Sequence, residues 1–223
     1  AAWCWGSNPI GELGDGTTTD QSGPVAVSGG KAFTALAVGL QHTCGLEVGG
    51  AAWCWGVNWD GRLGDGTTNN RSAPVAVSGG KRFTNLAAGS YHTCGLDIAG
   101  AAWCWGGNPF GQIGDGATTD RSAPVAVTGG MTFTALAAGG QRTCGLDTRG
   151  AAWCWGSNSS GQLGDGTTSN RVAPVAVSNG VTFAGIAAGA SHTCGLTPSG
   201  AAWCWGNNYS GQLGDGTTTN QSA

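Results

Sequence analysis

The sequence predicts an all-β protein, a β-propeller built from four-stranded antiparallel blades in about four 50-residue repeats, and three observations lead there. The hexapeptide Ala-Ala-Trp-Cys-Trp-Gly begins at Ala1, Ala51, Ala101, Ala151 and Ala201, so one 50-residue unit is written four times and a 23-residue start of a fifth follows. A unit of that length cannot bury its apolar surface alone and must stack on its own copies. Each unit carries four short runs bounded by Gly, Asn, Asp or Pro, and none keeps an apolar period of 3.6 long enough for a helix. Glycine contributes 44 residues without the every-third spacing of collagen, as in a turn-dense β protein.

In the second copy the strands are expected at Phe83 to Gly89, His92 to Leu96, Ala101 to Gly106 and, after a polar loop, Pro124 to Val127. Such antiparallel sheets, repeated, make propeller blades. The linker between the second and third strands ends in Gly50, Gly100, Gly150 and Gly200. A three-residue hairpin loop, a type I turn closed by a left-handed residue, needs glycine at its last position. That loop pairs Glu47 with Ala51 and therefore Cys44 with Cys54, in a non-hydrogen-bonded pair whose Cα atoms sit roughly 4.5 Å apart, at the short edge of disulfide geometry.

The nine cysteines alternate at gaps of 40 and 10 residues. The hairpin register pairs Cys44 with Cys54, Cys94 with Cys104, Cys144 with Cys154 and Cys194 with Cys204, and leaves Cys4 without the partner a preceding repeat would supply. Metal is the weaker reading: His42, Cys44 and Cys54 offer three ligands, but Cys-x9-Cys is not a zinc spacing and Arg142 replaces the histidine in the third copy. Each disulfide stabilises by about 2 to 3 kcal/mol in the chain-entropy model. A full set implies secretion, a periplasm or a cell surface, since a reducing cytosol keeps thiols free, and an extracellular or cell-surface location is expected. Residues 1 to 20 closely match 201 to 220, as expected of a window within a longer ring or array.

Only 9% of residues are charged and the formal net charge is −3, so no basic stripe for nucleic acid or an anionic membrane surface exists. No apolar run approaches the roughly 18 residues of a membrane span.

The succession Leu-Ala-Ala-Gly, x-x-His-Thr-Cys-Gly-Leu, Trp-Cys-Trp-Gly-x-Asn-x-x-Gly-Gln-Leu-Gly-Asp-Gly-Thr-Thr and Pro-Val-x-Val, best seen over Leu136 to Pro174, resembles the regulator-of-chromosome-condensation propeller repeat along the whole chain. The resemblance implies a propeller, usually of seven blades, with the Phe-Thr-x-Leu-Ala strand nearest the shaft. On that frame residues 1–30 are the outer half of a blade, 31–80, 81–130 and 131–180 are blades, and 181–223 an incomplete one. Family roles include nucleotide exchange on a small GTPase, ultraviolet sensing through tryptophans, and inhibition of β-lactamase by a secreted bacterial propeller. The cysteine pattern argues against the first. The second uses Trp just before His-Thr, where this chain has Leu40-Gln41, Ser90-Tyr91, Gly140-Gln141 and Ala190-Ser191.

The remaining repeated residues have structural explanations. Trp53 and Trp55 lie on one strand face, opposite the bare backbone of Gly45, and are expected in the core between blades. Asn8, Asn58, Asn108, Asn158 and Asn208 fix a turn through side-chain to backbone bonds. One Asp per Gly-Asp-Gly loop is too few for calcium. His42, His92 and His192 lack a companion nucleophile and carboxylate, so no enzyme activity, cofactor or metal is expected. Variation concentrates after Trp-Gly-x-Asn, where Ile10, Trp59, Phe110 and Tyr209 are candidate rim contacts. Asn70, Asn158, Asn208 and Asn220 match glycosylation acceptors. The expected function is a non-catalytic extracellular or cell-surface structural and binding module, self-assembling into an array or filament. The alternative is a secreted propeller that captures a protein or a glycan through its rim loops.

Overall fold

The computed structural model describes every residue except Asn179. Its strands form five antiparallel sheets, and apart from a 3-10 turn at Ser78–Gly80 no helix occurs among the described residues. The first sheet pairs β1 (Trp3–Gly6) with β2 (Gln21–Ala26). Three four-stranded sheets follow: β3 (Phe33–Val38), β4 (His42–Glu47), β5 (Ala52–Gly56) and β6 (Arg71–Ala76); β7 (Phe83–Ala88), β8 (His92–Asp97), β9 (Ala102–Gly106) and β10 (Arg121–Ala126); and β11 (Phe133–Ala138), β12 (Arg142–Asp147), β13 (Ala152–Gly156) and β14 (Arg171–Ala176). The last sheet holds β15 (Gly185–Ala188), β16 (His192–Leu196) and β17 (Ala202–Gly206).

The outer strand starts three residues before the expected Pro124. A register shift between Cys104 and Gly106 lets Gly106 pair with Arg121, and the Arg121 guanidinium holds Asp115 at 2.6 Å.

The hairpin turn sets the blade register. Glu47 N donates to Ala51 O at 2.8 Å and Gly50 N to Glu47 O at 2.9 Å, with Gly50 at φ 85°. Cys44 then faces Cys54 in register, and the pair is bonded with Cα atoms 4.1 Å apart. The other three hairpins repeat this at Cys94–Cys104, Cys144–Cys154 and Cys194–Cys204.

Strand alternation gives each blade two unlike faces. One carries the disulfide with Leu46, Ala52 and Leu63; the other carries the Phe and Trp rings. The disulfide face of one blade packs on Phe83 and Trp105 of the next. The following interface repeats the arrangement with Phe133 and Trp155. The second Trp of each pair is sealed here, Trp55, Trp105 and Trp155 being 0% exposed, whereas Trp53, Trp103 and Trp153 are half-buried. By area, each sealed indole contributes at most about 4 to 6 kcal/mol. The expected cover for Gly45 is corrected. A Cβ at Gly45 would lie 2.5 Å from the Phe33 ring, so it is Phe33 that occupies the space glycine leaves.

The glycine of Gly-Asp-Gly is the floor for the next blade's tryptophan. A Cβ at Gly64 would lie 2.6 Å from Trp105 Nε1, and at Gly114 2.7 Å from Trp155 Nε1. Near the shaft, a Cβ at Gly39 would meet Gly89 O at 2.5 Å and one at Gly89 would meet Gly139 O at 2.4 Å. Only bare backbone permits that convergence.

Candidate functional site

The repeated histidines are built into the blade interfaces. His42 Nε2 lies 2.8 Å from Thr93 Oγ1 of the next blade, and Thr93 Oγ1 donates its one proton to Arg62 O at 2.9 Å. The histidine must therefore be the donor, which assigns the proton to Nε2. His92 and Thr143 repeat the arrangement, with Thr143 donating to Gln112 O. Burial, reinforced by the positive charge of Arg62 and of His92, lowers the His42 pKa to about 3; burial with Arg62 and Arg142 does the same to His92. Both rings are neutral and sealed, unsuited to proton transfer with a substrate.

Arg142 fills the histidine position in the third blade. Its Nε donates to Thr193 Oγ1 at 2.9 Å and its Nη1 to Ala190 O at 3.1 Å, while Nη2 reaches Gly189 O and His192 O. Burial lowers its pKa to about 10. No carboxylate pairs with this guanidinium among the described residues; backbone carbonyls hold the charge.

Asn58 does more than fix a turn. Its carbonyl oxygen accepts from Leu63 N, its amide donates to Asp65 Oδ1 and Thr67 O, and its own N donates to Asn70 Oδ1. One buried side chain thus organises the whole loop between β5 and β6. Asp65 is tied to Thr67 and to Arg71 Nη2 at 2.8 Å. These carboxylates are occupied within their own loops, and the described residues contain no group of three or more His, Cys, Asp or Glu placed for a metal.

The loops that carry the candidate contacts follow β1, β5, β9, β13 and β17 and lie on one face of the blades. The candidate contacts divide into two kinds: Trp59 is 61% and Tyr209 74% exposed, whereas Ile10 and Phe110 are half-buried. The second kind is held by the side chain two residues on, Ile10 N donating to Glu12 Oε2 and Phe110 N to Gln112 Oε1. The loops differ most around Asp60. Arg62, 2% exposed, makes a bidentate pair with Asp60 at 2.7 Å for each bond, donates to Ser90 O at 3.0 Å and stacks 5.1 Å from the Tyr91 ring. This couples the loop after β5 to the loop before β8. Sequence reading missed the second loop: its variable pairs Ser90-Tyr91 and Gly140-Gln141 were set aside as lacking tryptophan, although their variation was the signal.

Among the sequons, Asn158 and Asn208 are 0% exposed. The Asn158 amide nitrogen donates to Asp165 Oδ1 and to Thr167 O, and Asn208 does the same with Asp215 and Thr217. Both are withdrawn as acceptors, because a glycan on that nitrogen would dismantle the loop. Asn70 is exposed and Asn220 half-exposed. Cys4 is half-buried and carries a free thiol, whose pKa burial and the nearby Asp15 raise.

Fold and site together define a disulfide-braced β-propeller of blade repeats, with a sealed core and variation concentrated in loops. Models of the regulator of chromosome condensation (RCC1) repeat match residues 1–46, 49–96, 99–146 and 149–196, and the chain belongs to that family. Human WBSCR16 superposes with a TM-score of 0.86 at 22% identity over 99% of this chain and 60% of its own. Prp20p from Saccharomyces cerevisiae, described with its binding to Gsp1p and histones, gives 0.84 at 26% identity over 98% and 58%. The ectodomain of the receptor kinase CR4 from Physcomitrella patens gives 0.56 at 27% identity over 85% and 42%. The chain thus spans about three fifths or less of these structures. No curated protein matches it by sequence.

Proposed function

We propose that the protein is a non-catalytic binding and scaffolding module of the extracellular space or a cell surface, offering its variable-loop face to a protein partner. The carrying observation is the contrast between interfaces rebuilt with near-identical residues in successive blades and a loop face where the repeats diverge, bearing exposed Trp59 and Tyr209. Protein binding by Prp20p and the ectodomain placement of CR4 support the reading. Four hairpin disulfides support the extracellular placement. Intact mass and peptide mapping of native material, with and without reduction, test that placement: the eight hairpin cysteines are expected as four disulfides, and free thiols at all eight overturn it. For the face, a partner recovered from the surface or secreted fraction should lose binding with Trp59→Ala and Tyr209→Ala together. Undiminished binding by that double variant puts the contact elsewhere.

Self-assembly is a second reading, favoured by one observation. The blade interface is heterologous, the disulfide face of one sheet packing on the Phe and Trp face of the next, and its two halves are represented by Trp5, the counterpart of sealed Trp55, and by Leu196, the counterpart of sealed Leu46. Heterologous contacts that do not close propagate into fibres. Sedimentation across a wide concentration range should show growing oligomers that Trp5→Asp or Leu196→Asp abolishes; a monomer at every concentration ends this reading.

A further inference from the structure

Two cavities, of about 320 and 260 Å³, lie side by side on the variable-loop face and share Tyr91 and Gln141 as a common wall. Together they fall within the range of small-ligand sites, about 300 to 1,000 Å³. The larger is walled by hydroxyl and amide side chains, including Ser159 and Ser191, and the smaller by Asp120 with Asp60. Neither cavity has a lysine or arginine in its wall. Among the described residues, the Tyr91 hydroxyl, the Gln141 amide and the hydroxyls of Ser159 and Ser191 make no hydrogen bond. Asp120 uses Oδ1 to accept from Asn108 N at 2.7 Å, and Oδ2 makes no bond there.

These groups converge from loops that differ between repeats, since the positions of Tyr91, Gln141 and Ser191 are Gln41, Tyr91, Gln141 and Ser191 along the chain. The Tyr91 ring is braced by Arg62, itself locked to Asp60, and stays 36% exposed. A preset aromatic surface lowers the ordering cost of binding. We propose that this groove binds a short neutral oligosaccharide. The C–H face of a sugar ring suits the negative face of Tyr91, and its hydroxyls, each donor and acceptor, suit amide, hydroxyl and carboxylate groups together. With no lysine or arginine in the walls and the unpaired Asp120 carboxylate facing the groove, phosphate, sulfate and acidic sugars are disfavoured. An apolar ligand would leave the polar wall unsatisfied.

The assignment rests on the reading of this face as a binding face, but not on the apolar tips offered to protein. The test is a printed array of neutral oligosaccharides, with acidic and sulfated ones as a counter-set, followed by titration calorimetry of the strongest neutral binder. At least one neutral oligosaccharide should bind, with affinity falling at least tenfold in Tyr91→Ala and in Gln141→Ala. Ser159→Trp, which fills the larger cavity from an exposed loop, should block binding while leaving the melting temperature and the four disulfides unchanged. Trp59→Ala with Tyr209→Ala should leave sugar binding intact, so a failed protein contact and a failed sugar site read differently. Binding of no neutral sugar, preference for acidic sugars, or indifference to Tyr91→Ala and Ser159→Trp each overturns the assignment.

Discussion

His92 shows how one side chain joins two blades and makes their union depend on pH. Its folded pKa of about 3 lies below the ordinary value of 6.5 for histidine, so between those values the unfolded chain takes up a proton that the folded chain refuses. Stability from this group is complete above about pH 6.5 and falls with acidification, at about 1.4 kcal/mol per pH unit. His42 adds a matching slope. Urea titrations at successive pH values should show both contributions. His92→Gln, whose amide still donates to Thr143, should remove its share of the slope below pH 6.5. An unchanged slope would mean that the ring takes up protons in the folded state. Arg142 tests the same position from the other side. Arg142→Met removes the donor to Thr193 Oγ1 and those to the Ala190, Gly189 and His192 carbonyls and should cost about 2 to 3 kcal/mol by chemical denaturation, whereas Arg142→His restores the repeat's own solution without a buried charge and should be neutral or stabilising.

The hairpin is the element whose geometry the sequence states openly, and the interface between sheets is the one it conceals. Glu47, the glycine at the turn's end and Ala51 lie within five positions, so turn chemistry alone brings Cys44 opposite Cys54. By contrast, Gly64 supports Trp105, 41 positions on, across the interface between sheets. Nothing local in that segment specifies such a contact; it follows only from the offset between stacked repeats. The candidate site divides likewise. The exposed tips at Trp59 and Tyr209 were legible as variable residues after a constant motif, while Tyr91 and Gln141 join the groove only because the loops of neighbouring blades meet. At this scale Gly114→Ala is the informative change. The residue has φ 76°, and its new Cβ would lie 2.7 Å from Trp155 Nε1. Strain and overpacking together should cost about 2 to 4 kcal/mol. Gly116→Ala, at φ 84° with its nearest neighbour 3.8 Å away, carries the strain alone and should cost about 1 kcal/mol. Equal losses by chemical denaturation would show that the glycine is needed for its backbone angle and not as the tryptophan's floor.

Across the whole molecule, a stack in which each disulfide face is covered by the next blade ranks the disulfides by position. Cys44–Cys54, Cys94–Cys104 and Cys144–Cys154 are all 0% exposed, the first two beneath the Phe and Trp rings of the following sheet and the third against its Ile186. Cys194–Cys204 has the same hairpin geometry, but its cysteines are only half-buried. Thiol–disulfide exchange requires the attacking thiolate to reach sulfur, so the three covered bonds react only after adjacent blades separate, an opening that must first disrupt a sealed aromatic interface. Under mild reduction with alkylation, peptides carrying Cys194 and Cys204 should be labelled first, and the other three pairs should follow together on the timescale of blade separation. Because the four hairpins share one local structure, a difference in rate reports the packing between sheets and not the bonds themselves. Simultaneous labelling of all four pairs in protein that remains folded would mean that the blades do not cover one another as stacked here.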